Sequence, residues 1–119
     1  MKKTNKHKHV IIGSVGVERY MLNGMTHRED GPAYISKTVK EWWIYGKKHR
    51  EDGPAVEYED GDWIWYMKGK RHREDGPAEK FGEDFHWWLD GKEYSSFDTW
   101  LEALDAPESV KLMLAMKYK

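Results

Sequence analysis

The chain has 119 residues, a net charge of −1 and no cysteine, which is enough length for one domain with a modest core. The nearly balanced charge argues against a protein that grips long duplex nucleic acid by neutralising many phosphates, and the missing cysteines exclude disulfides, thiol catalysis and thiolate metal sites. No apolar run reaches the roughly 18 residues that a membrane-spanning helix needs, so we expect a cytoplasmic protein without a membrane span.

The N-terminal residues 1–9 are basic, with four lysines and two histidines, and we expect them to form a disordered tail. The apolar stretch that follows is interrupted by Gly13, Ser14 and Gly16, which makes it a poor signal peptide. Residues 10–94 carry a repeat pattern, and residues 95–119 carry a helical one. These three segments are the predicted organisation of the chain.

The heptapeptide His-Arg-Glu-Asp-Gly-Pro-Ala occurs three times, with starts 22 and 23 residues apart, at His27–Ala33, His49–Ala55 and His72–Ala78. A fixed short period is typical of a repeat array, in which each unit buries its apolar face only against its neighbours. A fourth unit keeps the aromatic pair and the Gly91-Lys92 step but lacks the heptapeptide. A terminal unit that departs from the pattern suits a cap.

Each unit contains two reversals. Hairpin turns are indicated by the dipeptides Asn23-Gly24, Tyr45-Gly46, Lys68-Gly69 and Asp90-Gly91. The Glu-Asp-Gly-Pro of the heptapeptide ends a strand because proline has no N–H to donate. We therefore predict a mainly β fold: an elongated antiparallel meander of about four 22–23-residue hairpin repeats with roughly two strands each, capped by two C-terminal α-helices. Equivalent residues of successive repeats should lie roughly 10 Å apart, since neighbouring strands are about 4.8 Å apart.

Alternation along the strands separates the large apolar side chains into two columns. The first column, expected to form the core face, contains Tyr20, Trp42, Trp65 and Trp87 together with Leu22, Ile44, Met67 and Leu89. The second column, expected on the opposite side, contains Met21, Trp43, Tyr66 and Trp88. One side of the sheet must therefore be covered by other residues or used for binding.

After Tyr94 the apolar period changes to that of a helix. Ser95 or Ser96 is a candidate N-cap, and the first helix has apolar residues at i, i+3, i+4 and i+7: Phe97, Trp100, Leu101 and Leu104. Pro107 suits the start of a second helix. That helix carries Val110, Met113, Leu114 and Lys117 at the same spacing. The pair is expected to close the last sheet edge or to cover one face.

The unit aromatic-x-x-x-Gly-Lys-x-His, followed by a glycine-containing turn at this period, resembles the MORN repeat and its bacterial variants over about residues 17 to 94. Arg-Glu-Asp-Gly-Pro-Ala stands where the usual pattern has a simpler Gly-x-Gly run, so the resemblance implies a relative rather than a standard member. Repeats of the His-Arg-Glu-Asp-Gly-Pro type also look like those of small phage and bacterial proteins. The resemblance implies a β-hairpin scaffold for protein or membrane-surface contacts, without catalytic residues.

The recurring histidines His27, His49 and His72 stand near carboxylates but should be too far apart to share one metal ion. We therefore expect no metal and no cofactor, and each His is expected to pack on an aromatic ring and bond its turn. No phosphate-binding loop, nucleophile elbow or pair of opposed carboxylates is present, which argues against an enzyme.

The candidate binding residues are three aromatic residues of the second column and the three repeat arginines: Trp43, Tyr66, Trp88, Arg28, Arg50 and Arg73. Each arginine could instead form an internal salt bridge with the Glu-Asp that follows it. Exposed aromatic and arginine side chains are typical of protein interfaces and of base-stacking platforms. The leading hypothesis is a protein-interaction inhibitor or adaptor, plausibly phage-encoded and acting on a host protein. The alternatives are a binder that sequesters a nucleotide or other anion, with a homo-oligomer interface as one place for its site, and a purely structural array.

Overall fold

The computed structural model describes residues 8–11 and 15–119, with side chains from residue 15 onward. The fold is mainly β with two C-terminal helices, in a flattened, elongated body of 47 × 38 × 20 Å. The strands are β1 Lys8–Ile11, β2 Glu18–Leu22, β3 Met25–Thr26, β4 Tyr34–Ile35, β5 Val39–Glu41, β6 Trp43–Ile44, β7 Lys47–Lys48, β8 Val56–Tyr58, β9 Trp63–Ile64, β10 Tyr66–Met67, β11 Lys70–Arg71, β12 Glu79–Phe81, β13 Asp84–Leu89 and β14 Lys92–Tyr94.

The predicted antiparallel meander is confirmed. The main sheet runs in the order β1-β2-β4-β5-β8-β9-β12-β13-β14, with β3 paired to β2, and every pair is antiparallel. The hairpins β6-β7 and β10-β11 form small separate sheets. The repeats are more finely divided than two strands each, because the second and third units interrupt the long strand at Trp42 and Trp65.

The four hairpin turns form at the predicted dipeptides. Both central residues of each turn have positive φ, for example 47° at Tyr45 and 79° at Gly46. Two successive positive φ angles define the type I′ turn, whose twist matches that of paired strands. Tyr45 and Lys68 are unusual there, because a side chain larger than that of glycine, asparagine or aspartate is disfavoured in this conformation.

The heptapeptide alanines Ala33, Ala55 and Ala78 are fully buried between neighbouring strands. Ala55, for example, accepts a backbone hydrogen bond from Trp42 at 2.8 Å and donates one to Ile64 at 2.9 Å. The last residue of each heptapeptide therefore joins two successive strands.

The buried side chains of the central repeats do not belong to the first column, which was expected to be the core face. Val56 and Ile64, which pair with each other, are 2 % and 4 % exposed. Val56 also pairs with Glu41, and the Glu41 carboxylate accepts a hydrogen bond from the indole of Trp43, a second-column residue. Paired residues of neighbouring strands face the same side of a sheet, so Val56 and Ile64 lie on the side of the second column. First-column residues such as Trp42 are half-buried.

The helices α1 Phe97–Ala103 and α2 Glu108–Tyr118 form at the predicted places. Ser96 is the N-cap of α1, and it forms a capping box with Thr99. The two helices pack their buried residues Trp100, Leu104 and Leu114 on the last repeat, where they contact Trp87, Leu89 and Tyr94. The helix pair therefore covers the first column, and it does so at the fourth unit.

Two details of the sequence interpretation need correction. Of the packing stripe predicted for α2, Leu114 is buried in the core, but Val110 and Met113 are 39 % and 69 % exposed, and Tyr118 contacts the core instead of them. Apolar residues occur on several sides of α2, so the sequence did not define a single stripe. Lys8 and His9 were assigned to the tail, but they lie in β1; residues 1–7 are outside the described part of the chain.

Candidate functional site

The repeat arginines lie inside the turns that carry them, and Arg50 shows the arrangement. Its Nε donates to Asp52 Oδ1 at 3.2 Å, and one terminal nitrogen donates to the Pro54 carbonyl oxygen at 2.9 Å. The same nitrogen lies 3.0 Å from a carboxylate oxygen of Glu57. The guanidinium carbon is 3.8 Å from the centroid of the Trp42 ring. Arg50 therefore closes its own turn and stacks on the first column.

Arg28 and Arg73 repeat this geometry. Each donates to the aspartate two residues later and to the proline carbonyl four residues later. Their guanidinium carbons lie 4.0 and 4.1 Å from the ring centroids of Tyr20 and Trp65. The turn glycine also lies against the guanidinium, since a Cβ atom added to Gly53 would be 2.8 Å from the Arg50 guanidinium carbon. The three arginine side chains are 22, 23 and 16 % exposed.

The repeat histidines join each unit to the next one. His49 Nδ1 accepts a hydrogen bond of 2.9 Å from the backbone N–H of Lys68, and its Nε2 lies 3.3 Å from a Glu51 carboxylate oxygen. An accepting Nδ1 means that the ring proton is on Nε2, facing the carboxylate. In the same way, His27 Nδ1 accepts a hydrogen bond of 2.8 Å from the backbone N–H of Tyr45, and His72 Nδ1 accepts one of 2.9 Å from the backbone N–H of Asp90.

These bonds hold the first positive-φ residue of each following turn. The His27 ring also packs on the Tyr45 ring, with centroids 4.2 Å apart. Each histidine serves a different turn, so the three do not converge on one centre. Within residues 15–119, no group of three or more His, Asp or Glu side chains is arranged to hold a metal ion.

The second column forms a row in which aromatic rings alternate with cations. Lys48 Nζ lies 5.5 Å from the Trp43 ring centroid and 5.1 Å from that of Tyr66. The Arg71 guanidinium carbon lies 5.7 Å from the Tyr66 centroid and 5.0 Å from that of Trp88. Stacked cations of this kind stabilise such rings by about 0.5–2 kcal/mol each. The three rings are half-buried and the helices do not cover them.

Two glutamates anchor the ends of this row. Trp43 Nε1 donates to Glu41 at 2.8 Å, and Trp88 Nε1 donates to Glu79 at 3.3 Å. Glu79 is 6 % exposed and forms an ion pair of 3.1 Å with Arg71. Nearby, burial and the Glu41 carboxylate raise the pKa of Tyr58 above its usual value. The second column is therefore a polar-anchored surface rather than an open apolar patch.

Two clefts open between successive turns on the side of the first column. The first cleft lies between the turns of the first and second units, has a volume of about 830 Å³, and includes Trp42 and Ile44. The second cleft lies between the turns of the second and third units, has a volume of about 440 Å³, and includes Trp65 and Met67. Both volumes fall in the range of ligand pockets, about 300–1,000 Å³.

The rims of the two clefts are acidic. The Glu-Asp pair of each turn points into solvent, with side chains 63 to 90 % exposed, at Glu29, Asp30, Glu51, Asp52, Glu74 and Asp75. The arginines of the turns line the same clefts but are already bonded to aspartate and carbonyl oxygens. The accessible charge at the rims is therefore negative.

The structure separates the six predicted site residues into two sets. Arg28, Arg50 and Arg73 contact the first column and line the clefts, whereas the second-column rings contact Lys48 and Arg71. On the continuous strand β13, Trp87 faces the helices and Trp88 does not, as alternation requires. Sequence reasoning missed Lys48 and Arg71. Their signal was the repeat itself, because both precede the heptapeptide histidine.

No protein-family model, no curated protein and no solved structure matches this chain. Among the described residues, no helix is long and apolar enough to span a membrane.

Proposed function

We propose that this protein is a non-enzymatic binding module that docks a protein partner, as an inhibitor or adaptor of the kind expected of a small phage or bacterial repeat protein. The observation that carries the proposal is the pair of inter-turn clefts. They repeat the same chemistry, with an aromatic ring and an aliphatic side chain inside and carboxylates at the rim. Apolar surface within a polar rim is the anatomy of a protein interface.

The predicted anchors contribute to such an interface in different ways. The arginines line the clefts as rigid, pre-bonded groups, so they would lose little side-chain entropy when a partner binds. Trp43, Tyr66 and Trp88 offer half-exposed rings on the other side of the sheet. The resemblance to MORN repeats agrees with a scaffold for protein contacts, and it remains a prediction.

The test compares capture by matched variants. Immobilised wild-type protein, a cleft variant with Glu51→Lys and Glu74→Lys, and a control with Glu102→Lys and Glu108→Lys are exposed to the same lysate of the cell that expresses the chain. All four glutamates are exposed and the charge change is equal. We expect one protein to be retained at stoichiometric amounts by the wild type and the control but not by the cleft variant. If all three proteins retain the partner equally, the clefts are not part of the interface.

The row of rings and cations in the second column favours one other candidate, a binder of nucleotides or similar anions. Lys48 and Arg71 lie between rings on which a base could stack. If the protein binds nucleotides, millimolar nucleotide should raise the melting temperature of the wild type, and Lys48→Ala should abolish this rise. A nucleotide shift combined with no stoichiometric protein capture would replace the first proposal by this one.

A further inference from the structure

The last repeat contains an inter-turn position that is already filled. Trp87 and Leu89 occupy the repeat positions of Trp42 and Ile44 in the first cleft and of Trp65 and Met67 in the second. At this position the helix pair packs on Trp87 and Leu89. The Trp87 ring is packed by three aromatic rings, with centroid distances of 5.0, 4.8 and 5.2 Å, from Phe97, Trp100 and Tyr118.

Tyr118 is the residue that bonds the neighbouring turn. Its ring stands edge-on to Trp87 at an interplanar angle of 87°, and its hydroxyl donates to the Asp75 carbonyl oxygen at 3.2 Å. The hydroxyl also lies against Gly76, where an added Cβ atom would be only 2.6 Å away. Tyr118 therefore fills the space between a turn of one unit and the first-column ring of the next.

The two open clefts offer related contacts, with one difference: Arg50 and Arg73 already stack on the Trp42 and Trp65 rings, whereas Trp87 is packed by rings of the helix pair. In the first cleft, Asp30 and Gly31 correspond to Asp75 and Gly76. In the second cleft, Asp52 lies in this position opposite Trp65. The carbonyl and the ring that hold Tyr118 thus have counterparts in both clefts.

Charge defines the occupant further. Tyr118 stands between Lys117 and Lys119, of which Lys117 lies over the Tyr118 ring and Lys119 pairs with Asp98, and the neighbouring turn has exposed carboxylates. Both open clefts carry such carboxylates on either side, and Glu51 and Asp52 belong to both clefts. An occupant with basic residues beside an aromatic one would match both the ring inside and the charge at the rim.

We propose that each open cleft binds a tyrosine of a protein partner flanked by lysine or arginine, in the way Tyr118 fills the last inter-turn position. This inference rests on the proposed function and names the chemistry of the partner. Two adjacent clefts would bind two such tyrosines of one partner, so that the second contact benefits from the first.

The test uses the intact protein and a synthetic peptide with the sequence of residues 108–119, which carries the Lys-Tyr-Lys unit. Binding is followed by NMR at the seven tryptophan indole N–H signals. We expect the peptide to shift the signals of Trp42 and Trp65 and to leave that of Trp100 unchanged, because Trp100 is buried beneath the bound helices. A peptide with alanine in place of tyrosine should bind about tenfold more weakly.

The matched protein variants are Glu51→Lys, which alters both clefts, and Glu102→Lys, which alters the helix pair. Glu51→Lys should weaken peptide binding about tenfold, whereas Glu102→Lys should leave it unchanged. Equal binding of the tyrosine and alanine peptides, or no shift of Trp42 and Trp65 at millimolar peptide, would overturn the inference. In that event, a partner captured by the wild type and lost from the cleft variant would still uphold the proposed function.

A separate measurement tests whether the occupant is a second copy of this chain. If the Trp42 and Trp65 signals shift when the protein alone is concentrated, the assignment to a different protein partner is overturned and a second copy is the occupant.

Discussion

Replacing Arg50 tests whether the repeat arginines hold the turns. Arg50→Ala removes a charged hydrogen bond to the Pro54 carbonyl, worth about 1.5–3 kcal/mol. It also removes a stack on Trp42 worth about 0.5–1 kcal/mol, and an ion pair with the partly exposed Glu57 worth about 0.2–1 kcal/mol. We therefore expect unfolding to become easier by about 3 kcal/mol, which for a domain of this size lowers the melting temperature by roughly 10 °C.

The assay is thermal unfolding followed by circular dichroism, with two companion variants. Arg50→Lys keeps the charge but not the planar fork, so it should recover less than half of the loss. Lys37→Ala removes an exposed cation between β4 and β5 and should leave the melting temperature within about 1 °C. If Arg50→Ala melts like the Lys37→Ala control, the arginine does not stabilise its turn. Loss of partner binding in that stable variant would instead make Arg50 a direct anchor.

Three further changes test the contacts between units. Gly53→Ala should lower the free energy of unfolding in urea by about 1–2 kcal/mol, because the new Cβ displaces the Arg50 guanidinium. An equal loss in the Arg50→Ala background, where no guanidinium is present, would contradict that cause. His49→Ala should cost about 1–2 kcal/mol by leaving the Lys68 N–H without its acceptor, and a urea midpoint equal to that of the wild type would disprove the bond's importance. Trp100→Ala should cost about 3–5 kcal/mol and loosen the helix pair, detected as lost near-ultraviolet dichroism with retained strand signal; an unchanged near-ultraviolet spectrum would refute its place in the core.

The hairpins and the first helix could be predicted because their signals are local. Asn23-Gly24 and Asp90-Gly91 are dipeptides that favour the type I′ turn found there, and Ser96 with Thr99 determines where α1 begins. The packing face of α2 could not be predicted in the same way. Leu112, Met113 and Met116 are apolar yet 63, 69 and 83 % exposed, so composition around the helix does not distinguish the buried side.

The candidate site was harder to predict because it depends on contacts between units. The spacing of the repeats excluded a shared centre for the histidines, but it did not reveal that each His accepts from the following turn. Likewise, alternation along the strands separated the two columns of side chains. It did not reveal that Val56 and Ile64 would be buried on the side of the second column. The internal salt bridge of Arg50 was one of two readings open from the sequence, and the aspartate contact at 3.2 Å supports it.

The histidine bonds explain why the chain has four hairpins but three heptapeptides. Each heptapeptide histidine supports the turn of the unit that follows, at Tyr45, Lys68 and Asp90. The first hairpin has no heptapeptide before it, and its turn residue is Asn23, which tolerates positive φ without such support. The last hairpin has no following turn, so a histidine after it would have no turn to support. The helix pair packs on the Trp87 ring of this unit instead. In this chain, each heptapeptide is therefore coupled by its histidine to the hairpin that follows it.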